Sequence, residues 1–303
     1  MLSVGGVLVR FEGELDDGFV DGFRGLFARR YLPDVRPAEG KPDLIVERFK
    51  GAPFRVFGSI YDVGGIDRHK LESDVPSAYT NEAPVFFLLQ AVARAGARKG
   101  RVFVTDSVSV LNPEGRAVLF VGYPHTGKST VSAIAHSEGL TVLSTENTVV
   151  EVRDGKLYVV GGTEVLVYDP RIEDIYGVSI EYDETTRSGY RIVDLADGRR
   201  ERLLRRGVEV EKIVALHAAF GAGPASFSPL RGRKIKKTLW YFATSLLKGM
   251  DYYEPAPLYM PMSDPINENL NALLDVAERD YAGKMLEAFG NHRDVFVRTV
   301  LFV

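Results

Sequence analysis

The stretch GYPHTGKST, residues Gly122–Thr130, has the spacing G-x-x-x-x-G-K-[ST] of a phosphate-binding loop. The apolar run GRAVLFV precedes it, and a helical pattern from Lys128 to Ser137 follows it. A strand, a tight loop and a helix in this order aim backbone N–H groups and the positive helix end at one spot, which suits a polyphosphate. The predicted nucleotide-binding residues are Gly122, Tyr123, Pro124, His125, Thr126, Gly127, Lys128, Ser129 and Thr130.

Two side chains of this loop have predicted roles in binding ATP with Mg²⁺. Lys128 can reach the β- and γ-phosphates, and the hydroxyl of Ser129 can bind the metal ion. Pro124 and Thr126 stiffen the loop relative to glycine. For His125 we expect a hydrogen bond or exposure to solvent rather than a catalytic role.

Composition restricts the class of protein. The 303 residues are 45% hydrophobic, which is enough for a sizeable core, and the net charge of −3 argues against a general nucleic-acid binder. The absence of cysteine excludes disulfides, thiolate metal sites and a cysteine nucleophile. The sequence has neither a cationic signal-peptide start nor an apolar run of ~20 residues, so we expect a cytoplasmic protein without a membrane partner. A homo-oligomer is compatible with the sequence. The single glutamine, Gln90, favours a heat-adapted source.

The N-terminal region, residues 1–100, is predicted to be β-rich and to pack on a catalytic domain formed by residues 101–303. Residues 1–75 alternate short β-like runs with turn residues, which predicts a small antiparallel sheet interrupted by a helix over Asp16–Arg30. Apolar residues at helical spacing predict a helix over Ala83–Ala97.

The remaining pattern predicts an α/β fold of α+β character with a mixed sheet. RVFVTDSVSVL and GRAVLFVGY are predicted as two strands joined by a turn at residues 112–115, and TVVEVRDGKLYVVGG as a hairpin with Asp154 and Gly155 at its tip. LTVLS and EKIVALHAAF are predicted strands, the latter in the core. Helices are expected over Lys236–Lys248 and Asn267–Phe289.

Two acidic residues are candidates for phosphoryl-transfer chemistry. Glu146 follows the apolar run Leu140–Leu143, so we expect it at the carboxyl end of a strand beside the phosphate loop, where ligands bind in open α/β sheets. Asp106 interrupts an apolar β run, where a charge is costly unless it is paired or used. The alternative places Asp106 on the solvent-facing side of an edge strand, and Glu146 in a solvated loop.

Other charged residues are weaker candidates. Asp169, Glu173 and Asp174 follow the second hairpin, and Arg231 and Arg233 precede a predicted helix. The two arginines suit a phosphate or an acceptor carboxylate. A solvated basic surface is the alternative.

The order of motifs from Arg101 to Ser179 resembles the HPr kinase/phosphorylase family, whose nucleotide fold is akin to that of phosphoenolpyruvate carboxykinase. The resemblance rests on TDSVSVLNPEGRAVLFVGYPHTGKST and on VLSTEN, which takes the place of an L-S-D-D segment. Thr145 and Glu146 then fall on the two family aspartates, so either Glu146 has both of their roles or the general base lies elsewhere. A family histidine falls at about Asp106, and DIYGVS faintly matches the family segment that would place a metal ligand at Asp174.

This resemblance implies a kinase. Bacterial members phosphorylate a serine of the protein HPr, whereas archaeal relatives are associated with free L-serine. We therefore expect transfer of the γ-phosphate of ATP to L-serine, with Lys128, Glu146 and Asp106 as catalytic residues. The expected Mg²⁺ ligands are Ser129 with Glu146 or Asp174, and Arg231 or Arg233 would bind the serine carboxylate. The alternatives are a protein serine kinase and a non-catalytic nucleotide-sensing regulator.

Overall fold

The computed structural model describes residues 1–248 and 260–302, which form a mixed α/β fold. The helices are α1 (Asp17–Gly22), α2 (Leu26–Tyr31), α3 (Ala83–Arg98), α4 (Lys128–Ser137), α5 (Arg171–Tyr176), α6 (Gly198–Arg206), α7 (Arg233–Lys248), α8 (Asp264–Asp280) and α9 (His292–Phe296), followed by a π-helical segment, Val297–Leu301.

The strands of the described residues form three sheets. They are β1 (Leu2–Val4), β2 (Val7–Gly13), β3 (Arg36–Pro37), β4 (Leu44–Phe49), β5 (Arg55–Val63), β6 (Ile66–Glu72), β7 (Arg101–Val104), β8 (Ser107–Leu111), β9 (Ala117–Val121), β10 (Val142–Ser144), β11 (Thr148–Arg153), β12 (Lys156–Gly162), β13 (Val165–Tyr168), β14 (Glu184–Thr185), β15 (Arg191–Asp194), β16 (Val208–Ala218), β17 (Ser226–Pro229) and β18 (Met285–Gly290).

The N-terminal sheet has the strand order β3-β1-β2-β4-β6-β5. It is mixed, because β2 pairs with β4 and β4 pairs with β6 in parallel, so the prediction of an antiparallel sheet was wrong. The two helices between β2 and β4 supply the long crossover that a parallel pair needs. The single helix predicted over Asp16–Arg30 is in fact α1 and α2, with Gly25 as the N-cap of α2.

The central sheet has the order β10-β8-β9-β16-β12-β11-β7, and β18 adds to β16 and pairs with β17. β8 is antiparallel to both β9 and β10, so β9 and β10 run in the same direction. β16 is parallel to both β9 and β18. The carboxyl ends of β9, β10, β16 and β18 therefore lie at the same edge of the sheet, together with the start of β8.

A third, small antiparallel sheet has the order β13-β15-β14. β13 contacts α4, so this sheet covers the helix that follows the phosphate loop. Its buried residues form a separate apolar cluster with Ala133 and Ile172.

Helix α3 lies between the two larger sheets. It contacts β2 and β4 on one side and β7, α7 and α8 on the other. Its residues Ala83 to Ala97 are all buried, as expected for a helix that is apolar on most of its surface. Gly96 permits the close approach of β7, because a Cβ there would lie 2.9 Å from the carbonyl oxygen of Arg101. One hydrophobic core thus includes both sheets and α3.

Several predicted elements differ from the structure. RVFVTDSVSVL is two strands rather than one, since β7 pairs with β11 while β8 pairs with β9 and β10. The helix predicted over Asn267–Phe289 ends at Asp280, and β18 occupies the last part of that range as a parallel partner of β16. The helix predicted over Ala83–Ala97, the hairpin with Asp154 and Gly155 at its tip and the helix over Lys128–Ser137 are confirmed.

Among residues 1–248 and 260–302, no helix has both the length and the apolar character needed to cross a membrane.

A buried ion cluster joins the N-terminal region to the rest of the fold. The side chain of Glu164 is fully buried, and its carboxylate accepts hydrogen bonds from Arg36 (2.6 Å), Arg29 (2.9 Å) and Arg200 (3.2 Å). Burial would raise the pKa of Glu164, but the hydrogen bonds and charges of these arginines outweigh it and lower the pKa. Asp194 pairs with Arg29 and Asp34 pairs with Arg200, which completes the charge balance.

We predict that Glu164→Gln lowers the free energy of unfolding by about 3–5 kcal/mol, because it leaves the buried Arg200 and the partly buried Arg29 and Arg36 without their shared carboxylate. Urea denaturation measures this change. The matched control is Glu209→Gln, which removes the partner of the exposed Lys156 (2.9 Å) and should cost at most about 1 kcal/mol. Equal losses in the two variants would contradict the structural role given to Glu164.

Candidate functional site

The phosphate loop has the backbone shape that its sequence predicted. β9 ends at Val121, residues 122–127 form the turn, and α4 begins at Lys128. Gly127 has a φ of +96°, and a Cβ there would lie 2.4 Å from the ring of His292, so only glycine fits without displacement. The N–H groups of the first turn of a helix have no intrahelical acceptor, and here that turn lines a cavity.

Hydrogen bonds hold this loop at both ends. The Gly122 N–H donates to the Asp106 carbonyl (3.1 Å), and the Ala218 N–H donates to the Thr126 carbonyl (3.0 Å). The Thr126 hydroxyl donates to the Tyr123 carbonyl (2.8 Å). The loop is thus held in shape by the residue before β8 and by the end of β16.

Lys128 is buried and turned back onto the loop. Its Nζ donates to the carbonyl oxygens of Gly122 (2.5 Å) and Tyr123 (2.9 Å), and lies 3.5 Å from Oδ1 of Asp106. Lysine has three N–H donors and no acceptor, so an arriving phosphate can replace these neutral carbonyl partners. These two carbonyl groups hold the ammonium of Lys128 beside the loop.

Asp106 lies at the break between β7 and β8, not in the middle of a strand as predicted. Its φ is +49°, an unusual conformation for a residue with a side chain. The residue is 8% exposed and lines the cavity, so the alternative of a solvent-facing position is wrong. Burial raises the pKa of Asp106, and the neighbouring charge of Lys128 only partly offsets this effect.

Glu146 lies in the turn after β10, at the same sheet edge as the phosphate loop. One strand, β8, separates β10 from β9. The Glu146 side chain lines the cavity and has no hydrogen bond or ion pair with any described residue. Burial raises the pKa of its carboxyl group, Arg30 and Lys128 act to lower it, and Asp106 raises it further.

The turn that carries Glu146 is fixed by one hydroxyl group. Oγ1 of Thr163 accepts hydrogen bonds from the backbone N–H groups of Glu146 (2.8 Å), Asn147 (3.0 Å) and Thr145 (3.3 Å). The Thr145 hydroxyl donates to the carbonyl of Val165 (2.9 Å). Thr145 is buried and does not line the cavity, so its hydroxyl serves to hold this turn.

These residues surround a cavity of about 640 Å³. It is lined by Arg30, Tyr31, Asp106, Pro124, His125, Gly127, Lys128, Ser129, Thr130, Glu146, Val167, Asp169, Arg171, Thr186, Ser188, Tyr190, Ala218, Ala219, Phe220 and His292. Two groups can be distinguished by their contacts. We call Arg30, Tyr31, Asp106 and Glu146 the carboxylate end, and Arg171, Tyr190, Phe220 and His292 the aromatic end.

The aromatic end is built around Phe220. The guanidinium of Arg171 lies 4.9 Å from the centre of the Phe220 ring, and the His292 ring lies 4.8 Å from it. His292 Nδ1 is 2.9 Å from the hydroxyl of Tyr176. Burial lowers the pKa of His292 to about 4, so this imidazole is neutral near pH 7.

Several lining residues are absent from the set that the sequence predicts. His292 follows the carboxyl end of β18, and this position would have marked it as a candidate had β18 been predicted as a strand. Arg30 and Tyr31 come from α2, whose sequence gives no sign that it reaches a site about 100 residues away.

Three predicted ligands are not brought to the cavity. Asp174 is exposed on α5, and Arg231 and Arg233 are exposed near the start of α7. None of the three lines the cavity, whereas Asp169 and Arg171 do.

The cavity offers oxygen donors of the kind that Mg²⁺ binds. Within the described ranges, no group of three or more His, Asp or Glu side chains is placed to hold a metal. Mg²⁺ commonly uses one or two carboxylates together with waters and substrate phosphates, so it does not need such a cage. The Ser129 hydroxyl and the carboxylates of Asp106 and Glu146 are among the oxygen donors that line the cavity.

No protein-family model matches the chain, and no curated protein matches it with significant similarity. The resemblance to the HPr kinase family therefore stays a prediction.

We predict that Thr163→Val destabilises the fold by about 2–3 kcal/mol, because three N–H groups of the Glu146 turn lose their acceptor. Thr163→Ser is the matched control. It keeps the oxygen and loses one buried methyl, which should cost about 1 kcal/mol. Urea denaturation of both variants measures the difference, and a serine variant as unstable as the valine variant would contradict the role of the hydroxyl.

Proposed function

We propose that the protein is an ATP-dependent phosphotransferase that phosphorylates a small hydroxyl compound, with free L-serine as the first candidate. The observation that carries the proposal is the meeting of a phosphate loop with the buried carboxylate of Asp106 and the half-buried carboxylate of Glu146 in one cavity. Lys128 lies 3.5 Å from Asp106, and Glu146 lines the same space. The volume of the cavity is within the usual range for ligand pockets.

The two ends of the cavity favour one orientation of ATP. A nucleotide base stacks readily on an aromatic ring and a guanidinium, which the pair Phe220 and Arg171 supplies. The β- and γ-phosphates would then lie on the loop, where Lys128 exchanges its carbonyl contacts for phosphate oxygens. Mg²⁺, when bound, neutralises phosphate charge, with Ser129 as one ligand. The acceptor takes the carboxylate end.

In the proposed reaction, the acceptor hydroxyl oxygen forms a bond to the γ-phosphorus as the bond from that phosphorus to the bridging oxygen breaks, and ADP leaves. The hydroxyl proton passes to a carboxylate and then to water. Glu146 is the better candidate for this base, since its carboxylate has no ion-pair partner among the described residues while Asp106 faces Lys128. A raised pKa strengthens Glu146 as a base at neutral pH.

A nucleotide sensor without catalysis is the second candidate. Thr145 stands where the resembling family has an aspartate, and its hydroxyl is used within the turn. Such a protein would bind ATP and transfer no phosphate. A cytoplasmic location and a homo-oligomeric state also stay predictions.

We predict that purified protein with ATP and Mg²⁺ forms ADP in a manner that depends on L-serine, and that Glu146→Gln lowers kcat by about 100-fold or more through loss of the base. A coupled ADP assay and detection of O-phosphoserine measure both. Asp174→Asn is the matched control: it neutralises an exposed carboxylate outside the cavity and should leave kcat unchanged.

The outcomes separate the candidates. ATP binding with no ADP formation would favour the sensor, and transfer to a protein serine but to no free amino acid would favour a protein kinase. Loss of activity in Asp174→Asn equal to that in Glu146→Gln would contradict the placement of the active site in this cavity.

A further inference from the structure

Among the described residues, three cationic side chains line the cavity, and two of them already have hydrogen-bond partners. Lys128 contacts two loop carbonyls and Asp106. Arg171 donates from Nε (2.9 Å) and from a terminal nitrogen (2.5 Å) to Oδ2 of Asp169. Neither is available to a new anion at the carboxylate end without giving up these contacts.

Arg30 is the third cation, and it differs from the other two. Its guanidinium lies 5.0 Å from the centre of the Tyr31 ring. Within residues 1–248 and 260–302, no carboxylate lies at ion-pair distance from it and no hydrogen bond involves its side chain. A guanidinium carries five N–H donors in a planar fork that matches a carboxylate, so Arg30 presents an unused binding group to the cavity.

The backbone around Arg30 is held firmly by its neighbour. Arg29 bonds to the buried Glu164 (2.9 Å) and to Asp194 (2.5 Å and 3.1 Å). These bonds fix α2 while Arg30 faces the cavity. A preformed position lowers the entropy cost of binding a ligand group.

The negative charge of the carboxylate end explains why a cation is needed there to bind a ligand carboxylate. A ligand carboxylate placed there meets the negative charges of Asp106 and Glu146, and like charges at short range repel. Arg30 is close enough to Glu146 to act on its charge. It can therefore offset that repulsion for a ligand whose hydroxyl lies between the γ-phosphate and Glu146.

We propose that Arg30 binds a carboxylate of the acceptor and so restricts the enzyme to hydroxy-acid acceptors, amino acids with a side-chain hydroxyl among them. This inference rests on the proposed function. Helix α2 of the N-terminal region would then select the acceptor. Arg30 takes the carboxylate-binding role that the sequence predicted for Arg231 and Arg233, which lie outside the cavity.

The test compares L-serine with L-serinamide, which keeps the hydroxyl and the amine and has no carboxylate. The variants are Arg30→Gln, Arg30→Lys and the control Arg24→Gln, which changes an exposed arginine paired with Asp21. We expect Arg30→Gln to raise the KM for L-serine roughly tenfold to a hundredfold, the value of a lost charged hydrogen bond. The KM values for L-serinamide and for ATP should not change. Arg30→Lys should recover part of the loss, and Arg24→Gln should match the wild type.

The opposite pattern would overturn the proposal. If Arg30→Gln raises the KM values for L-serine and L-serinamide equally, or raises the KM for ATP, the guanidinium acts on the nucleotide or on the fold. Thermal unfolding of Arg30→Gln and Arg30→Lys identifies a folding defect, and a correctly folded Arg30→Lys still reports the acceptor preference.

Calorimetric titration of both acceptors in the presence of ADP and Mg²⁺ separates this inference from the proposed function. Tighter binding of L-serine than of L-serinamide that disappears in Arg30→Gln supports the role of Arg30 even if no phosphate is transferred. Equal binding of the two compounds to the wild type overturns it, whether or not the protein is a kinase.

Discussion

The carboxylate of Glu164 is the contact on which the site depends. It is fully buried and shared by Arg29, Arg36 and Arg200, which come from α2, from the segment after it and from α6. A buried charge is tolerated only with such partners, so the three segments must meet at this point.

Glu146 and Arg30, the two residues of the carboxylate end that the proposal uses, are each connected to this cluster by a residue next to one of its members in the sequence. Glu164 directly follows Thr163, whose hydroxyl fixes the turn of Glu146. Arg29 directly precedes Arg30. Arg200 also donates to the carbonyl of Leu143 (2.9 Å) in β10, the strand that leads to Glu146. The ion cluster therefore sets the separation between the proposed base and the proposed acceptor-binding arginine, although none of its members lines the cavity.

The other half of the site was largely predictable, because its signals are local. The loop spacing and the glycine after the helix define α4 from Lys128 to Ser137, and the apolar run before Glu146 places this residue at a strand end. Asp106 was recognised as a charge within an apolar run, but not as the break between two strands. That break depends on β11, which pairs with β7 and not with β8. The parallel pairs of the N-terminal sheet and the strand β18 likewise depend on distant partners.

The local sequence carries no specific signal for the residues whose position was predicted wrongly or not at all. Arg231 and Arg233 form a basic run that is equally typical of a surface, and the structure leaves them exposed. The match that predicts Asp174 as a metal ligand covers only a short segment, and the structure places Asp174 outside the cavity. No local sequence pattern predicts Arg30 as a cavity residue, because an arginine on a short helix is usually solvated. The ion cluster around Glu164 and the hydrogen bond from Asn147 Nδ2 to the Tyr31 carbonyl (2.9 Å) join residues more than 100 positions apart, and together they hold Arg30 at the cavity.

The most direct test of the account is the affinity of the wild-type protein for ATP and for AMP, each with Mg²⁺, measured by isothermal titration calorimetry. If residues 122–130 bind the β- and γ-phosphates, ATP should bind about 100-fold more tightly than AMP, the value of one or two charged hydrogen bonds. Most of that difference should disappear in Lys128→Ala. Equal affinities for ATP and AMP, or no binding of either, would contradict the assignment of the phosphate loop and with it the proposed function.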